Sequence, residues 1–170
     1  GDYKIEDDGL SEKFEPVPCH TFVTETTFGL PIYHWREQEV VFNEINEWWK
    51  INKANKRTSI IYAYSLGKAQ RILTGLNHEI GEVFAAPQIV EMNLACERGG
   101  YKLMPYKHVE NLTAESAKGA LVITPQFSNR DRFVQYFFDP AEAEVSGWMQ
   151  INKMRNRNKN TSCFTISDHA

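Results

Sequence analysis

"TSIIYAYSLGKAQRILTGL", residues 58–76, is the stretch whose reading decides the fold. Its first seven residues, "TSIIYAY", are β-branched, aromatic or small with scarcely a polar break, which is how a short buried strand reads. A turn at Ser65 and Leu66 follows, and "LGKAQRILTGL" then reads as a helix that begins at Gly67 and ends near Gly75. Strand followed at once by helix is the first half of a crossover unit, so the question is whether the pattern repeats.

It repeats downstream. "IGEVFAA" (80–86) reads as a strand and residues 87–97 as a helix, with Pro87 suited to a first helical turn and Gly99 and Gly100 closing it. "ALVITP" (120–125) is a strand, "NRDRFVQYF" (129–137) a helix, "EAEVSG" (142–147) a strand, and Cys163, Phe164, Thr165 and Ile166 form one more. Upstream, Val41, Ile45, Trp48 and Trp49 recur at helical spacing through residues 37–52, with Glu44, Glu47 and Lys50 on the other side. Before that, "CHTFVTE" (19–25) alternates as a strand that delivers Glu25 at its end, and "TTFGLP" is a loop. Strands alternating with helices predict an α/β fold: a parallel sheet covered on both faces, of the Rossmann-like three-layer class.

The bulk composition narrows the function. With 42% hydrophobic and 12% aromatic residues in 170, the chain can bury one ordinary core, which excludes disorder. A formal charge of -3 gives no global attraction to a polyanion, so contact with nucleic acid needs a local basic patch or a metal ion. Cys19, Cys96 and Cys163 are far apart and form no C-x-x-C pair, so neither a disulfide framework nor a cysteine zinc site is indicated, and a reducing cytoplasm is the simplest setting. No apolar run approaches the roughly 18 to 20 residues of a membrane helix, and no signal peptide is recognisable, so no membrane association is expected.

Several residues could carry chemistry. "SLGKAQ" (65–70) places a glycine and a lysine where a helix opens after a strand, as phosphate cradles do. As a Walker loop it fails, because Tyr62 stands where the first glycine belongs and Ala69 where the metal-binding hydroxyl belongs. A tight packing turn and a phosphate contact by Lys68 both remain open. The five histidines, His20, His34, His78, His108 and His169, include no pair spaced to share one ion. His169 stands apart from the others because it follows Asp168 just past a strand end, where a buried strand opens into a loop. "KMRNRNK" (153–159) is a basic turn able to touch a nucleic-acid backbone.

Taken in order, "GDYK" (1–4), "FVTETTFG" (22–29), "AYSLGKAQ" (63–70), "SGWM" (146–149) and "TISDHA" (165–170) resemble the metallo-β-lactamase nucleases with a β-CASP insertion, most closely the bacterial ligase-associated DNA exonucleases. The resemblance runs over essentially the whole chain. It implies a three-layer β-CASP domain at 36–150, with 1–35 as the edge of a metallo-β-lactamase αββα core and 151–170 as the return into that core. It also implies two zinc ions, with Asp2 as a bridging metal ligand, Glu25 as the acidic residue of the first β-CASP motif, and His169 as the general acid toward the leaving oxygen of a phosphodiester. A carboxylate beside an imidazole raises its pKa and fixes its tautomer, so a Glu25–His169 pair makes chemical sense. Lys68, Arg155 and Arg157 are the expected nucleic-acid contacts.

The function so implied is a zinc-dependent DNA exonuclease in repair, with DNA as substrate and a DNA ligase and a helicase as associated proteins. An RNA-processing β-CASP ribonuclease and a non-catalytic α/β nucleic-acid-binding module are the alternatives. The family's H-x-H-x-D-H zinc cluster and its later histidine are absent, so the chain is expected to be a segment of a longer protein that lacks a complete metal site. Purified alone, the 170 residues should retain far less than one equivalent of zinc and leave DNA intact, because one carboxylate cannot replace three or four ligands. Elemental analysis finding a full, tightly held equivalent would overturn this.

Overall fold

The computed structural model describes residues 3–7, 9–126, 133–137, 139–149 and 161–167. Helix α1 (Gln38–Ala54) leads into strand β1 (Ser59–Tyr62), helix α2 (Lys68–Gly75), β2 (Val83–Ala85), helix α3 (Pro87–Arg98), β3 (Lys107–His108), a short 3-10 turn (Val109–Asn111), β4 (Leu121–Thr124), β5 (Ala141–Val145) and β6 (Thr161–Phe164). The six strands form one sheet in the order β3-β2-β4-β1-β5-β6, and every pairing is parallel. The fold is therefore α/β, as the alternation of elements predicts.

The pleat sorts the core into two layers. In one row across the sheet, Ala85, Ile123, Ile61 and Ala143 are in register and belong to the larger apolar cluster, with Val41, Ile45 and Trp49 of α1, Ile72 and Leu73 of α2, and Ile89 of α3. One position back, Phe84, Val122 and Ile60 are in register on the opposite face, where Leu112, Phe133, Val134 and Phe137 pack against them. The direction of the crossovers accounts for this division. Two connections, β1 to β2 and β2 to β3, run one way along the sheet and carry helices α2 and α3. The next two, β3 to β4 and β4 to β5, run back, and a right-handed crossover in the reverse direction must lie on the other face. Helices α1, α2 and α3 thus share one face, while Phe133 and Val134, which are also helical, pack on the other.

Three expectations need correction. Residues 19–25 pair with no strand of the sheet. Their alternation is real, but Phe22 and Val23 are both exposed, so no buried face selects an extended register. The strand expected at 163–166 lies two residues earlier, Thr161–Phe164, which puts Ser167 three residues past its end. Helix α1 runs two residues beyond Asn52. In addition, β3 is a two-residue strand too short to read from pattern. β5 and β6 are hydrogen-bonded neighbours, Val145 opposite Phe164.

Trp49 is the largest fully buried side chain, and its indole N–H donates to the Gly119 carbonyl at 2.9 Å, tying α1 to the loop that enters β4. Trp49→Phe leaves that carbonyl unpaired and opens a small void, so it should cost about 2–4 kcal/mol. Ile51→Ala, at an exposed position of the same helix, should stay within about 0.5 kcal/mol. Urea unfolding of the two variants measures the difference, and equal costs would show that the indole is not what holds this corner.

Candidate functional site

A parallel sheet collects the carboxyl ends of all its strands along one edge, and a crevice forms where two neighbouring strands send their chains in opposite directions. From β1 the chain leaves toward β2, and from β5 it leaves toward β6. The gap between their exits is a crevice of about 370 Å³ lined by Tyr62, Tyr64, Ser65, Gln126, Glu144 and Trp148, among others.

The wall after β1 is the "AYSLGKAQ" turn. Gly67 adopts φ +83°, a left-handed conformation that a Cβ resists, and this lets the chain double back so that Ala69 N–H donates to Tyr64 O at 3.1 Å. Lys68 then begins α2, not at the open surface but 5% exposed, its ammonium 4.9 Å from the centre of the Tyr64 ring. Beneath the turn, the Gln70 amide donates to Ser65 O at 3.0 Å and to Asn93 Oδ1 of α3 at 2.6 Å.

The next residue, Arg71, is buried, and its guanidinium donates to the carbonyl of Ser167 and to Gln38 Oε1 at the start of α1. It thereby fixes the chain beyond β6 immediately before Asp168. Neither Gln70 nor Arg71 stands out from the sequence as functional. The available signal is a pair of long polar side chains between the apolar positions of a short helix.

The wall after β5 is "SGWM", and "FVTETTFG" lies against it. The Phe28 ring is 5.4 Å from Trp148, 4.9 Å from Tyr33 and 5.1 Å from Trp35, measured between ring centres. Gly147 permits this contact, since a Cβ there would sit 2.5 Å from Phe28 Cζ. Glu25 is half-buried, and its carboxylate accepts the Thr27 N–H at 2.7 Å, bracing the turn closed by Gly29 N–H to Thr26 O at 3.0 Å. A smaller cavity of about 40 Å³ brings Lys4 of "GDYK" alongside Trp35, Arg71 and Ser167. The described residues of the five stretches singled out in the sequence, Lys4 of the first and Thr165, Ile166 and Ser167 of the last among them, thus lie along one edge of the sheet.

Of the expected site residues, Glu25 and Lys68 occupy the positions just given. Asp2, His169, Arg155 and Arg157 lie outside the described residues, and so does the expected meeting of Glu25 with His169. Among the described residues, no group of three or more His, Cys, Asp or Glu side chains could hold a metal ion, and no helix is long and apolar enough to cross a membrane.

No family model matches the chain. Over all 170 residues it is 28% identical to a protein of Opitutus terrae named "Probable DNA ligase", of whose length it spans 16%. The similarity therefore concerns a small part of a much longer polypeptide.

Because Gly147 and Phe28 compete for the same space, Gly147→Ala should cost about 1–3 kcal/mol through displacement of the ring. Adding Phe28→Ala should then cost less than the two changes summed, since the first obstruction has been removed. Strict additivity in equilibrium unfolding would show that Phe28 is not the obstacle.

Proposed function

We propose that this chain forms the α/β cap, and part of the cleft, of a zinc-dependent DNA exonuclease of the metallo-β-lactamase/β-CASP kind that acts beside a DNA ligase. The observation that carries this reading is the convergence of the described residues of the five separated stretches on the carboxyl edge of the sheet, with "AYSLGKAQ" and "SGWM" as facing walls of one crevice. The relative named for DNA ligation favours DNA over RNA as the polymer. The described residues do not by themselves fit a zinc site. In this reading Asp2 supplies one ligand and the remaining ligands come from outside the 170 residues.

The chain's own contributions are positional and protonic. Arg71 holds the peptide that leads into Asp168 and His169, and His169 protonates the departing oxygen of the phosphodiester. Tyr64, with the buried Lys68 ammonium against its ring, and the basic stretch with Arg155 and Arg157 hold the strand.

In a protein that joins this chain to its metal ligands, His169→Ala should lower single-turnover cleavage about 100- to 10,000-fold with little change in DNA affinity, as loss of a general acid does. Lys68→Ala should show the converse, weaker binding with a smaller loss of maximal rate. Chelation should stop hydrolysis and zinc should restore it. Cleavage by His169→Ala at the parent rate, with zinc content unchanged, would remove the general-acid role.

A further inference from the structure

We infer that the crevice between the ends of β1 and β5 is a stacking site for a single unpaired nucleobase, with Tyr64 and Trp148 as its platforms. This rests on the nucleic-acid part of the reading above, but not on any hydrolytic step.

The two rings have a combination of properties that core aromatics do not. Tyr64 is 69% exposed and Trp148 48%, yet both line a concave space rather than an open surface. Each also touches a second group, Tyr64 the Lys68 ammonium and Trp148 the Phe28 ring. A ring held by a neighbour while still largely exposed loses little conformational entropy when a flat partner stacks on it. The backbones beneath are fixed as well. Ser65 O accepts from the buried Gln70 amide, and the Trp148 N–H donates to Ser146 Oγ at 3.3 Å.

The chemistry of the walls selects the flat partner. A volume of about 370 Å³ falls in the range of small-ligand pockets. Ser65, Gln126 and Ser146 offer hydroxyl and amide groups to the edge of a heterocycle. No lysine, arginine or histidine is among the described residues that line this wall, so the wall offers no cation to a phosphate. The occupant is thus the base, and its phosphates lie outside. A duplex presents no unstacked base, so the site recognises a single-stranded end or a displaced nucleotide.

The base could belong to a strand or to a free mononucleotide, and one titration separates these. Dye-labelled single-stranded hexanucleotides of dT and dA, the same length of abasic strand, a blunt duplex, and AMP as competitor are titrated against the 170-residue chain by fluorescence anisotropy. The base-bearing strands should bind at least ~10-fold more tightly than the abasic strand of equal charge. That ratio should persist as added salt weakens all of them.

Tyr64→Ala and Trp148→Ala should each reduce the base-bearing affinity ~5- to 100-fold and leave the abasic affinity unchanged, whereas Tyr64→Phe, which keeps the ring, should bind like the parent. Tyr64 is the more exposed of the two, so its variant carries the test if Trp148→Ala unfolds. Competition by AMP at concentrations that displace the strand would assign the site to a free nucleotide; no competition assigns it to a strand. Equal binding of abasic and base-bearing strands, or no binding of either, overturns the inference. Loss of cleavage in the longer protein with base-dependent binding intact would overturn the nuclease reading alone.

Discussion

A parallel strand cannot return to its neighbour by a tight turn, and the architecture of this chain depends on that constraint. β1 is hydrogen-bonded on both sides, to β4 and to β5, and both run in its own direction. Each link between strands must therefore travel the length of the sheet across one face, and the links become its two covers. Ile60 and Ile61 are buried on opposite sides because α1, α2 and α3 occupy one face and the segments returning to β4 and β5, with helical Phe133 and Val134, the other. The same constraint brings every loop that follows a strand to one edge, where the crevice lies.

Much of this was legible in particular residues. "SIIY" could only be a strand covered on both faces, since its apolar run has no polar alternation. Pro87 and the Gly99–Gly100 pair marked the two ends of α3 closely. Strand order was not legible, because β4 enters between β2 and β1 through pairings that no local pattern records. "CHTFVTE" misled for the converse reason: it alternates like a strand, but the edges of the sheet are β3 and β6, and it pairs with neither.

The site was legible as a set of stretches and less so as side-chain roles. Resemblance brought Glu25 and Lys68 forward, and both stand along the edge where the stretches meet. Their observed contacts are local, however: Glu25 braces a turn, and Lys68 lies under Tyr64. Residues that tie the stretches together, Arg71 and Phe28, drew no notice because a single arginine in a helix or a phenylalanine before a glycine is ordinary in sequence. Their importance comes from what lies far along the chain, Ser167 for one and Gly147 with Trp148 for the other.

The central place of β1 also bears on how the chain is made. Its partners lie far downstream, at Leu121 and Ala141, so during synthesis this apolar strand leaves the ribosome long before either exists to cover it. α1 and α2 can form early and shield the side of Ile61, whereas Ile60 and Tyr62 wait for residues beyond 109. For that interval "SIIYAY" has the character of a segment that joins another like it, and a helper that holds it apart would raise the yield of folded chain without altering its final stability.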